Sequence, residues 1–112
     1  MSKFVVLYLA PVATIEHLMA NSTPEQMKAG IDDWMHWMQA NERAFVDMGA
    51  PLGKTKRVTA AGIASVKNEV TGYTIIEAES HDAAARMLEG HPHLQVPGAY
   101  IDVIAVMPIP GN

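Results

Sequence analysis

Residues 90–98, GHPHLQVPG, hold two of the five histidines of a 112-residue chain, one on either side of Pro92. An imidazole, with an unperturbed pKa near ~6.5, is the side chain best suited to moving protons at neutral pH. His91 follows Gly90, and Pro92 biases it toward an extended conformation. A loop leading into a strand can aim such a side chain over the end of a sheet, where pockets form. The bland alternative is an imidazole that binds the last carbonyls of a preceding helix and complements its dipole. His93, two residues on, points the other way in an extended loop and is expected at solvent or at an interface. One metal ion held by both rings is therefore awkward, no third ligand converges, and no metal site is expected.

Partners for His91 are sought among the carboxylates. Asp33, in IDDW, lies on the flank of a helical segment, near Gly30 and Trp37 in projection, with Asp32 on the other side. A carboxylate beside an imidazole can fix its tautomer and stabilise its cation, so His91 with Asp33 could do general acid–base work. Otherwise the two aspartates decorate a solvated helix face. Trp34 and Trp37 suit a core, and Trp37 could also wall a pocket beside the missing side chain of Gly30. Lys54, Lys56 and Arg57, in GKTKR, form a positive patch that could receive an anionic substrate. The same charges equally suit a hairpin edge protected from aggregation. The segment GAPLGK lacks the spacing of a phosphate loop, and neither a nucleophile elbow nor a dinucleotide fingerprint is present. No motif requires a cofactor.

These residues must be positioned by a short list of elements. Residues 4–9 form an apolar, β-rich run ending before Pro11, which predicts a strand. After a loop, Ser22 or Thr23 can cap a helix with Pro24 and Glu25 in its first turn. On it Met27, Ile31, Trp34 and Met38, followed by Phe45, fall in one narrow sector and predict a single buried stripe. A short strand enters the Gly/Pro turn of AFVDMGAPLG, two more flank Ala60–Gly62, and residues 72–79 form a clearer one. Ser80 or Asp82 caps a short helix whose Ala84, Met87 and Leu88 face the sheet, and Gly90 ends it. The last strand covers residues 99–107. This βαββαβ order with an added hairpin predicts an α+β, ferredoxin-like fold: an antiparallel sheet with two helices on one face.

The outer strands are apolar on both faces, with Tyr100, Ile104 and Val106 alternating with Ile101, Val103 and Ala105. An antiparallel sheet with one wet face should alternate apolar with polar. Two helices cover one face, so a second copy of the sheet is expected on the other, as a homodimer.

The order FVVLYLAP, the TPEQ helix start, FVDMGAPLGKTKRV, GYTIIEAES with HDAA, and GHPHLQVPGAYIDVIAVMPIP resembles the YCII-related family of dimeric α+β barrels, including its DGPF-type relatives. The resemblance runs from Lys3 to Pro110. It implies ferredoxin-like protomers paired sheet to sheet, with a pocket between sheet and helices. In members close to the founding type, a histidine on the first helix and an Asp-Pro ahead of the last strand have been proposed as a catalytic dyad. A few relatives act on small chlorinated quinone-like compounds. Here His91-Pro92 stands where Asp-Pro is expected, and the helix position falls around Ile31–Trp34, while His36 lies almost opposite the apolar stripe. The resemblance thus implies a dyad exchanged in position, with His91 in the loop and Asp32 or Asp33 on the helix.

The whole chain bounds the rest. Its length fits one domain over residues 1–112. A net charge of −4 leaves no electrostatic footprint for nucleic acid. No apolar run approaches the ~20 residues that span a bilayer. Zero cysteines exclude disulfides and thiolate metal sites, and a cytoplasmic protein is the default. The expected function is small-molecule chemistry by His91 as acid/base, oriented by Asp33, walled by Trp37 and aided by Lys54 and Arg57. The reaction would be proton abstraction or elimination. A non-catalytic ligand-binding or accessory dimer is the alternative.

Overall fold

Ser2–Leu9 forms strand β1, in which Phe4, Val6 and Tyr8 point to one face and are buried, while Val5 and Leu7 point to the other and are half-buried. The computed structural model describes residues 1–110. Helices α1 (Val12–Asn21) and α2 (Pro24–Ala40) follow, then strand β2 (Phe45–Pro51), the hairpin strands β3 (Thr55–Thr59) and β4 (Gly62–Val66), strand β5 (Val70–Ala78), helix α3 (His81–Met87) and strand β6 (Tyr100–Ala105). Short 3₁₀ turns at Glu42–Ala44 and Pro92–Gln95 lead into β2 and toward β6.

The main sheet is antiparallel in the order β2-β5-β1-β6, and β3 with β4 forms a separate two-stranded ribbon. Phe4 faces Ile76 on one side and Ala105 on the other, so β1 lies at the centre of the apolar layer. Ala84 and Leu88 close that layer from α3 and join Phe4, Val6, Tyr8, Ile76 and Ala78 in the core. This is the expected α+β fold, with one helix more than expected. Residues 12–21 are α1 rather than a loop. Pro11 pre-sets its entry as the residue before a first turn that has no side-chain cap.

Thr23 rather than Ser22 starts α2. Its hydroxyl accepts from the Gln26 N–H at 3.1 Å, while the Gln26 side chain accepts from the Thr23 N–H at 2.8 Å. This reciprocal capping box satisfies two donors that the helix itself leaves free. The stripe on α2 is a second correction. Trp34, Trp37 and Met38 are half-buried, but Met27 and Ile31 are 56% and 61% exposed within this chain. The helix meets the core through its two indoles, and the turn of its apolar stripe toward residue 27 stands over an open cleft.

The chain exposes 8010 Å². A compact monomer of this mass exposes about 6,000 Å². Its radius of gyration is 15.8 Å, against about 13 Å for a compact domain of this length. Among the described residues, no helix is long and apolar enough to cross a membrane.

Candidate functional site

Gly90 adopts φ +74°, a left-handed conformation that costs glycine little, and turns the chain back at the end of α3. Pro92 then opens the 3₁₀ turn, and His91 caps it with its own ring: Nδ1 accepts the His93 N–H at 2.9 Å. The GHPH order is therefore first a folding device. It carries the His91 ring inward to 1% exposure, within a cage of aromatic rings. Ring centroids of Trp34 and Trp37 lie 4.4 Å away and that of Tyr8 lies 5.0 Å away.

The His91 hydrogen bond has a chemical consequence. With Nδ1 accepting, the neutral ring carries its proton on Nε2. That Nε2 is buried and has no hydrogen-bonding partner among the described residues. Burial, followed by the neighbouring His93, lowers the His91 pKa to about 4, so the ring is neutral at pH 7. His91 is thus an uncharged donor with an unused N–H, surrounded by π-faces.

His93 is not at solvent. It is 5% exposed, and its Nε2 lies 2.8 Å from the Leu9 carbonyl at the end of β1. That carbonyl sits where the β1–β5 register breaks between Tyr8 and Leu9, and the imidazole replaces a ladder donor there. The extended-loop argument fails because residues 92–95 coil into a 3₁₀ turn, which brings both rings to the same side of the fold.

Beside this cage lies a cleft of about 510 Å³ between α2 and the β2–β5 side of the sheet. Tyr8 and Trp34 form its wall toward the histidines, and Met27, Ile31, Met35, Met38 and Met48 supply most of the apolar remainder. The Tyr8 hydroxyl lies 3.0 Å from Thr74 Oγ1, a polar handle in a mostly apolar lining that also includes Thr71 and Tyr73. Burial pushes the Tyr8 pKa up, partly offset by the Thr74 hydrogen bond, so the phenol stays protonated at neutral pH. None of the residues lining this cleft is an acid, a lysine, an arginine or a histidine. Methionines around an aromatic wall make a deformable surface with a preference for aromatic rings.

The structure brings His91 and Trp37 together, but it does not bring Asp33 to His91. Asp33 is exposed and borders a small hollow of about 230 Å³ shared with Trp34 and His93. Lys54 borders a different hollow, between α1 and the base of the β3–β4 hairpin, and Arg57 stands exposed on β3. Trp34 and Tyr8, rather than Trp37, line the main cleft. Tyr8, Thr74 and the methionines carried no motif in the sequence. The signal available was a tyrosine and a threonine at inward positions of two strands, each able to satisfy the other. Among the described residues, no group of three or more His, Asp or Glu side chains is placed to hold a metal ion.

No protein-family model matches the sequence, and no curated protein does. The fold is similar to that of the 5-chloro-2-hydroxyhydroquinone dehydrochlorinase TftG of Burkholderia phenoliruptrix, whose structure holds 2,5-dihydroxybenzoquinone. The match covers 89% of this chain and 90% of that one, at 14% identity and a TM-score of 0.52.

Proposed function

We propose that this chain is a YCII-related protein that binds a small ring compound in the Tyr8–Trp34 cleft and promotes proton abstraction or elimination on it. The observation that carries this reading is the free, buried Nε2–H of His91 directly behind the cleft wall. A buried polar group without a partner is costly, and such groups concentrate where a ligand supplies the partner. In this tautomer His91 acts as an uncharged hydrogen-bond donor. With Tyr8 and Trp34 displaced by the bound ring, it would stabilise negative charge developing on a ring oxygen as solvent water takes the proton or the leaving group departs as its anion. Acting as a base at Nε2 would require the ring proton to move to Nδ1, at the expense of the His93 bond. The orienting role given to Asp33 by sequence falls, in this reading, to the His93 backbone N–H.

The ligand would be a single oxygenated ring. The cleft volume suits one ring, the Tyr8–Thr74 pair offers one polar contact, and the lining holds no charge to compensate an ion. The dehydrochlorinase of similar fold acts on a molecule of that class. The protomer would work as a cytoplasmic homodimer, through the sheet face that bears Val5, Leu7, Ile75, Tyr100, Ile104 and Val106. Its apolar content and the surplus surface of the free chain both favour a covered face.

A second reading is a non-catalytic ligand-binding module. It is favoured by one observation: His91 stands behind Tyr8 and Trp34 and does not itself line the cleft. Titration with 2,5-dihydroxybenzoquinone and chlorinated hydroxyhydroquinones, read by tryptophan fluorescence and chloride release, separates the two. The enzyme reading expects quenching with chloride release, and expects His91→Gln to keep the first and lose the second. Binding without release supports the module. Absence of binding by every ring compound defeats both.

A further inference from the structure

We propose that the β3–β4 hairpin of one copy of this chain closes the Tyr8–Trp34 cleft of a second copy, so that each site is completed by its partner. The inference rests on the reading of that cleft as a binding site.

Besides the open sheet face, two apolar features of the chain lack a cover. The first is the hairpin. Val58 and Ile63 face each other across it, at 73% and 72% exposure, with Lys56 bonded to Ser65 at 2.8 Å on the same face. A two-stranded ribbon alone is marginal in water. An exposed, directly opposed β-branched pair at its centre is unusual unless something packs on it. The second is the mouth of the cleft. Met27, Ile31 and Met35 sit one helical turn apart on α2, at 56%, 61% and 50% exposure. The hairpin grows out of β2 and β5, the strands that floor the cleft; its base meets α1, yet its exposed apolar pair covers nothing in its own chain.

Charge and area choose the occupant. Lys54, Lys56 and Arg57 stand on the hairpin with no acid, Lys67 at its base being paired with Glu16 of α1 at 3.0 Å, whereas α2 carries Glu25, Asp32 and Asp33 against Lys28 alone. A basic arm therefore meets an acidic helix with an apolar strip on each. The chain exposes about 2,000 Å² more than a compact monomer of its mass. A standard interface needs only about 800 Å² per partner, so the surplus admits the covered sheet face and the hairpin contact together. A reciprocal exchange, in which each hairpin covers the other chain's cleft, closes under a two-fold axis and leaves no unpaired arm. It brings Lys56, on the Val58–Ile63 face, to the ligand site of the partner, whereas Arg57 lies on the opposite face of the hairpin.

The absence of cysteine from the chain makes a single labelled position clean. Ile63→Cys carrying a benzophenone is prepared in ¹⁵N-labelled protein, mixed with unlabelled wild type, irradiated without ligand and analysed by mass spectrometry. Crosslinks from the ¹⁵N hairpin to unlabelled peptides spanning residues 27–35 are expected. Crosslinks confined to one isotope, or to the open sheet face, overturn the proposal. In parallel, Val58→Asp with Ile63→Asp should weaken self-association at least tenfold in sedimentation, with an unchanged far-ultraviolet spectrum. Unaltered association overturns it as well. Because neither measurement uses a ligand, failure of ring compounds to bind would leave the docking intact and remove only its functional setting.

Discussion

The backbone N–H of His93 donates to Nδ1 of His91 at 2.9 Å, while the His93 ring reaches the Leu9 carbonyl at 2.8 Å. One histidine thereby sets the tautomer of the other and fastens both to the first strand. The pair is not a solvated turn but a buried clasp with one donor left over.

The clasp should loosen in acid. The folded pKa of His91, about 4, lies below the unfolded value near ~6.5. Below that upper value the unfolded chain binds more protons than the folded one. The contribution of neutral His91 is therefore complete above pH ~6.5 and is lost progressively as pH falls toward about 4. Thermal melts by circular dichroism across this window should show a falling Tm, with a shallower slope in His91→Phe. Parallel slopes in the two proteins would contradict the assignment.

His93→Leu removes the donor to Leu9 at little change in volume, and leaves a buried carbonyl unpaired. A loss of roughly 1–3 kcal/mol is expected in urea denaturation. His93→Gln, whose amide can reach the same oxygen, should recover part of it. Equal stability of the leucine variant and wild type would show that the carbonyl is satisfied in another way.

Two glycines near the cleft should respond in opposite directions. Gly49 has φ +72°, and an added Cβ would lie 1.6 Å from the Tyr73 carbonyl oxygen, so Gly49→Ala must displace β2 from β5. A loss above ~2 kcal/mol is expected from that strain combined with the broken ladder. Gly30 has nothing within 4 Å of such a Cβ, and Gly30→Ala should stabilise α2. The gain should approach ~1 kcal/mol. Denaturant midpoints decide both, and a destabilised Gly30→Ala would reveal a contact beyond the single chain.

Tyr8→Phe tests the polar handle. It should weaken binding of an oxygenated ring about tenfold, the worth of one hydrogen bond of ~1.4 kcal/mol. Binding of toluene should be unaffected. Equal losses for both ligands would assign Tyr8 to packing alone.

Much of this architecture is legible in the residues, because strands and caps are local. The Thr23-Pro24 start, the Ser80 cap and the Gly90 stop each rest on short-range hydrogen bonding or backbone freedom. The burial of His91 is not local: it requires Trp34 and Trp37 from α2 and Tyr8 from β1 to converge on a loop more than fifty residues further along. The sequence misplaces His93 because Pro92 favours an extended loop, whereas proline at the first position of a turn serves a 3₁₀ coil equally well. Helix α1 carries no start signal in the sequence, because its first turn lacks both a capping side chain and an acid. The apolar stripe on α2 was seen, but periodicity reports only that a face is apolar, and not which chain covers it.

The placement of β1 between β5 and β6 has a consequence for biosynthesis. Of the strands of this sheet, β1 is made first and lies in the interior, yet both of its neighbours come from the second half of the sequence. The imidazole that completes its last carbonyl comes 84 residues later. At ordinary translation rates β1 waits roughly ten seconds with two bare edges and two apolar faces. The yield on synthesis should therefore depend on how long β1 stays uncovered, and not only on the stability of the finished fold.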